Sequence, residues 1–128
     1  MTRTDKKVRY IQKSKVHPGS SAAADAARVT EQALVMLEGR WKLVIIFHLF
    51  VQPVMRFSEL ERAIPSASQK MLIQQLRGLE RDGIVRRTVH PQVPPKVEYA
   101  LTKFGQALCP ALEALLKWAG LRDTSAEK

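Results

Sequence analysis

The chain has 128 residues, 45% apolar and 26% charged, with a net charge of +9: one compact domain with a core, plus a tail, carrying an excess of cations. Its longest strongly apolar run, Leu43 to Val51, falls well short of the ~20 residues that cross a bilayer, and no apolar signal core follows the basic N-terminus, so neither a membrane span nor secretion is expected. A single cysteine excludes an internal disulfide and a cysteine-rich zinc site and points to a reducing, cytoplasmic setting.

Residues 1–27 mix Lys, Ser, Ala and Gly with few large apolar groups. They cannot bury enough surface to offset the entropy of ordering, so a flexible basic arm is expected there. The Ala22–Ala27 stretch can lead into a first helix, on which Val29, Ala33, Met36 and Leu37 recur at helical spacing until Gly39 stops it. The folded domain is expected over residues 28–120, with 121–128 as a C-terminal tail. A strongly apolar helix should run from about Arg40 to Val51 and end before Pro53, which has no N–H to donate. Being apolar almost all round, it is expected at the centre of the core.

Met55-Arg56-Phe57 reads as extended, a candidate short strand. Ser58 with Glu61 three residues on has the capping-box pattern, opening a short helix to Ile64 that Pro65 closes. Ser66 or Ser68 caps the next helix, which runs to about Asp82 before Gly83 supplies a left-handed stop. Ile84–Val89 and Lys96–Leu101 are strand-like, joined by a proline-rich tip into a hairpin. The last helix starts at Thr102 and reaches about Ala119, with Phe104, Leu108, Leu112, Leu115 and Ala119 on one stripe and Pro110 kinking or dividing it. This order predicts a mainly α fold with a small β-hairpin: a winged helix-turn-helix with terminal dimerisation helices.

The charge divides along the same lines. Residues 1–29 carry seven bases against two acids and residues 56–96 eight against four, while 30–55 and 97–128 balance. Excess concentrated in two blocks favours a polyanionic partner over lysines kept for solubility. On the helix after Ser68, Leu72, Leu76 and Leu79 must face the core, leaving Gln69, Lys70, Ile73, Gln74 and Arg77 on the opposite face. Gln can bond adenine bidentately, Lys and Arg can approach guanine, and Ile can meet a thymine methyl, so these five are the candidate base readers. An ordinary solvated helix face would hold similar residues, but this one directly follows the Pro65-Ser66-Ala67 turn. Ser68, Arg86, Arg87, His90 and Lys96 are the candidate DNA-backbone and wing contacts. Alternation along a strand sends Arg86 and Arg87 to opposite faces, so only one is expected to grip phosphate strongly. The last helix has apolar residues on more than one face, which implies a second copy of the chain; Val29, Ala33, Leu112, Leu115, Leu116 and Trp118 are the candidate dimer contacts.

Other chemistries find little support. Cys109 reads as a small buried hydrophobe. His17, His48 and His90 have no ligand spacing, and the glycines form neither a phosphate-cradling loop nor a nucleophile elbow. No catalytic residue, metal or cofactor is expected. A small-molecule effector stays open, without residues to identify it. The competing readings are an RNA-binding winged helix, disfavoured because Phe57 and Tyr99 look buried, and a protein-interaction winged helix, which should expose aromatics in place of Gln, Lys and Arg.

Several motifs in one order resemble the HxlR-type transcriptional regulators: Glu38-Gly39-Arg40-Trp41-Lys42, Arg56-Phe57-Ser58-Glu59-Leu60, the run from Leu76 to Arg87, the run from Pro91 to Thr102, and Gly105. The resemblance covers about residues 29–119. It implies a DNA-binding winged-helix homodimer of bacterial or archaeal type, related to MarR-like regulators. In such proteins the terminal helices of two chains pair, and the helix matching residues 68–82 reads the major groove. That partner in turn implies a cytoplasmic, nucleoid-associated protein. Two departures stand out. The family's frequent Cys-Pro pair, sometimes a thiol sensor, is Arg28-Val29 here, so that chemistry is not carried over. Glu38 replaces a usual Gly, and Arg40 a usual Lys.

Overall fold

A computed structural model describes the backbone of residues 21–126 and the side chains of residues 21–122; most of the expected basic arm and the chain's last two residues lie outside the described residues. The first helix, α1, spans Ala22–Leu37. Ser21 caps it, its Oγ accepting from the Ala24 N–H at 3.0 Å. The alanine-rich stretch placed in the arm is therefore the first turn and a half of a helix, as its high intrinsic propensity favours. Asp25, buried in that first turn, pairs with Arg28 at 3.6 Å, an acid where the helix dipole favours one. The chain divides into two compact units after Glu38.

The second unit begins with two residues of positive φ, Gly39 at 130° and Trp41 at 81°. These delay the second helix, α2, to Lys42–Val51, two residues later than expected. The Arg40 guanidinium lies 5.0 Å from the Trp41 ring centroid. Ile45, Ile46 and Leu49 of α2 are buried in the core, but Leu43, Val44 and Val51 are exposed, so the helix is not buried all round. One face of the helix serves the unit's core, and the remaining apolar residues stay outside it.

Strand β1, Val54–Arg56, leads directly into α3, Phe57–Ala63. The expected capping pair of Ser58 and Glu61 is corrected. Glu59 Oε1 accepts from the Arg56 N–H at 2.8 Å, so the cap lies two residues earlier. The sheet sets this position: Arg56 is paired opposite Glu98, and the helix starts at the next residue. Gln52 donates to the other Glu59 oxygen at 3.1 Å. The backbone N–H, then the amide, hold the Glu59 carboxyl below its ordinary pKa.

Helix α4 spans Gln69–Arg81, and the cap ambiguity resolves to Ser68, whose Oγ accepts from the Met71 N–H at 3.1 Å. Leu72, Leu76 and Leu79 are buried, as their spacing requires. At its end the Gly83 N–H bonds Glu80 O and the Ile84 N–H bonds Leu79 O, a Schellman closure with Gly83 at φ 75°. Strands β2, Val85–His90, and β3, Lys96–Leu101, form the expected hairpin. Strand β1 joins it on the other side of β3, giving a three-stranded antiparallel sheet in the order β1-β3-β2.

The last helical segment is divided, as Pro110 predicts, into α5, Lys103–Gln106, and α6, Cys109–Ala126. Helix α6 continues well past Ala119, so much of the expected C-terminal tail is helical. Thr102 ties α5 to the α4–β2 turn: its hydroxyl donates to Gly83 O, and its oxygen accepts from the Gly105 N–H at 3.0 Å. The core of this unit is Ile45, Ile46, Leu49, Leu60, Leu72, Leu76 and Leu79, joined by Leu112 from α6. Burying each such side chain contributes about 1.5–3 kcal/mol. That anchoring makes α4 a rigid platform for whatever its other face does.

Candidate nucleic-acid interface

The leucine stripe of α4 fixes the direction of everything else on the helix. Gln69, Lys70, Gln74 and Arg77 are exposed, while Ile73 is half-buried. The five candidate readers do not share one direction. Gln69, Ile73 and Arg77, four residues apart, line a cleft of about 470 Å³ between α4 and the sheet, together with Glu80, Phe57, Arg87, Val97 and Tyr99. Lys70 and Gln74 are exposed and do not line that cleft.

Across the cleft, Arg87 sits opposite Tyr99 in the β2–β3 register, and Arg86 sits opposite Ala100. The two arginines lie on opposite faces, as alternation demands. Arg87 joins Arg77 in the cleft, and Arg86 borders a separate depression lined by Leu49, Phe50 and Cys109. Tyr99 is buried, and burial raises its hydroxyl pKa while a hydrogen bond from Arg87 opposes that rise. The phenol thus stays neutral beside Arg87.

The wing differs from the sequence reading in one respect. His90 and Lys96 are not isolated cations. The His90 Nε2–H donates to Glu98 Oε1 at 2.6 Å, and Lys96 Nζ lies 3.4 Å from Glu98 Oε2. The His90 bond, more than the Lys96 charge, holds the Glu98 carboxyl below its ordinary pKa. Glu98 escaped the sequence reading, although strand periodicity carries the signal: Lys96 and Glu98 share a face with the cross-strand partner His90. Ser68 spends its oxygen on the helix cap and keeps its O–H available.

The candidate dimer contacts also separate. Leu115, Leu116 and Trp118 are 47%, 59% and 70% exposed, and Leu121, beyond the expected helix end, is 61% exposed. On α1, Ala33 is exposed and Val29 half-buried. Leu112 is corrected: at 4% exposure it belongs to the chain's own core and has little surface to offer a partner. Cys109 is free and half-buried, less enclosed than expected. Among the described residues, no group of three or more His, Cys, Asp or Glu could hold a metal ion, and no helix is long and apolar enough to cross a membrane.

The model of the HxlR-like helix-turn-helix family matches residues 36–125. The HTH-type transcriptional regulator YtcD of Bacillus subtilis is 49% identical over 88 residues, covering 69% of each chain. A MarR-family transcriptional regulator from Enterococcus faecalis superposes with a TM-score of 0.76 at 34% identity, over 88% of this chain and 98% of its own. The redox regulator HypR, in its reduced form, superposes with a TM-score of 0.68 at 43% identity, over 77% and 98%. These relatives are transcriptional regulators, not enzymes. By sequence and by fold alike, the chain belongs to the HxlR-like helix-turn-helix family of transcriptional regulators.

Proposed function

We propose that the chain acts as a homodimer that reads specific double-stranded DNA, with α4 in the major groove and the β2–β3 wing against phosphate and the flanking minor groove. The observation that carries this reading is α4 itself. Its leucines anchor it to the core, while Lys70 and Gln74 project from an exposed surface beside the cleft that Arg77 and Arg87 line. Lys70 and Gln74 are the base readers, and Arg87 belongs to the backbone contacts. The apolar surface of α6 at Leu115, Leu116, Trp118 and Leu121 supports pairing with a second copy. Two α4 helices would then meet half-sites about one duplex turn, roughly 34 Å, apart. Residues 1–20, rich in bases, add salt-sensitive attraction without choice of sequence. A DNA partner places the protein in the cytoplasm, with the nucleoid.

Selection of bound duplexes from a random pool tests the reading. A two-half-site consensus is the expected result; recovery of no preferred sequence contradicts it. Competition against structured RNA separates the nearest alternative. Phe57 is half-buried and Tyr99 buried, so neither offers a free face for base stacking, and duplex DNA should win.

A further inference from the structure

The cleft between α4 and the sheet holds more cationic and hydrogen-bonding capacity than packing requires. Arg77 lines it from the helix and Arg87 from the opposing strand, with Gln69 on the helix side and Tyr99 on the sheet side. Glu80 is its only acid, so the cleft carries a net positive charge. Neither arginine has an acidic partner among the described ion pairs. Tyr99 sits opposite Arg87 in the strand register and lines the same cleft, beside that guanidinium. Phe57, Ile73 and Val97 give the cleft apolar walls, where charge-assisted bonds strengthen as water is excluded.

A helix in the major groove and a wing in the next minor groove have one DNA strand between them, the strand that separates the two grooves. In that pose the strand would run beside the cleft between α4 and the sheet. We propose that the cleft is a seat for a single backbone phosphate, gripped by Arg77 and Arg87 together, which sets the register of α4 on the duplex. The proposal rests on the duplex-reading function above. It moves Arg77 from reading bases to positioning the backbone, and makes Tyr99 a positioning residue for Arg87. Two guanidiniums from different elements suit a phosphodiester, whose paired anionic oxygens accept fork-like donors.

The test uses the selected duplex carrying a neutral methylphosphonate at one backbone position at a time. Wild type should show one position per half-site, between the contacted grooves, where neutralisation weakens binding about tenfold, the scale of a lost charge-assisted contact. Arg77→Ala and Arg87→Ala should each weaken binding to the unmodified duplex by a similar factor, become insensitive to that same position, and keep the wild-type base preference. Arg77→Lys and Arg87→Lys retain the charge and guard against misfolding; they should keep weak binding but lose most of the position's special effect. Tyr99→Phe should blunt that effect with folding intact by circular dichroism. The seat is overturned if the two alanine variants stay sensitive to that phosphate, map to different phosphates, or if Arg77→Ala alters base preference. A wild-type protein that binds duplex DNA with no phosphate standing out overturns the seat alone. One that selects no duplex at all overturns the DNA-reading function beneath it.

Discussion

Glu98 is the residue whose consequences are easiest to isolate. It holds His90 and Lys96 on one face of the hairpin and masks part of the wing's positive charge. Replacing it with Gln removes one negative charge beside two wing side chains, so Glu98→Gln should raise affinity for non-specific duplexes several-fold at low salt and steepen the salt dependence. Unchanged non-specific affinity would show that the wing does not approach DNA. The carboxyl pKa is lowered in the fold, so its contribution to hairpin stability is full above the ordinary glutamate value of about 4.3 and fades as pH falls through the lowered value. A carboxyl-carbon NMR titration should place the Glu98 midpoint below that ordinary value; a midpoint at or above it contradicts the contact. For the base readers, Lys70→Ala and Gln74→Ala should each relax preference at one base pair, by about 1–3 kcal/mol of discrimination, with little change in non-specific binding. Binding measured against a panel of single-base variants reads this directly. Unaltered discrimination would remove both residues from the reading face.

At the scale of elements, the sequence was most legible where one local rule acted alone. The leucine spacing of α4, the Gly83 closure and the break at Pro110 all follow from short-range chemistry. It was least legible where tertiary pairing overrode a local pattern. Ser58 and Glu61 form a good capping box on paper, yet β1 pairing through Arg56 starts α3 earlier and passes the cap to Glu59. The split of the α4 face depended on which side the sheet would occupy, and hydrophobic spacing does not carry that. Two glycines separate these kinds of constraint. At Gly83 a Cβ meets nothing within 4 Å and only the positive φ resists substitution, so Gly83→Ala should cost about 1 kcal/mol. At Gly105 a Cβ would collide with the Ile84 carbonyl oxygen, a backbone atom that cannot swing away. Gly105→Ala should therefore destabilise by about 1–3 kcal/mol, or more, by driving α5 from the α4–β2 turn. Urea denaturation of both variants checks the order, and a milder effect at Gly105 than at Gly83 would contradict the close packing.

Over the whole molecule, the division of charge matches a division of labour. The neutral segments, 30–55 and 97–128, supply α2, most of β3 and the apolar surface of α6, while the basic middle segment supplies α4 and β2, and both contribute to the core. Trp118→Glu, on the exposed surface of α6, should convert a dimer into monomers in sedimentation velocity and weaken binding to a two-half-site operator far more than to a single half-site, because the second half-site contributes only while the chains are linked. A variant that stays dimeric would move the interface elsewhere. The central claim is that α4 reads duplex DNA by its bases while the surrounding cations hold the backbone. Its most direct measurement is a salt titration of affinity for a selected duplex beside a scrambled duplex of the same length and composition. Both affinities should fall steeply as salt rises, and the selected duplex should bind at least about a thousandfold more tightly than the scrambled one at physiological salt. Equal affinities, or affinities indifferent to salt, would contradict the account.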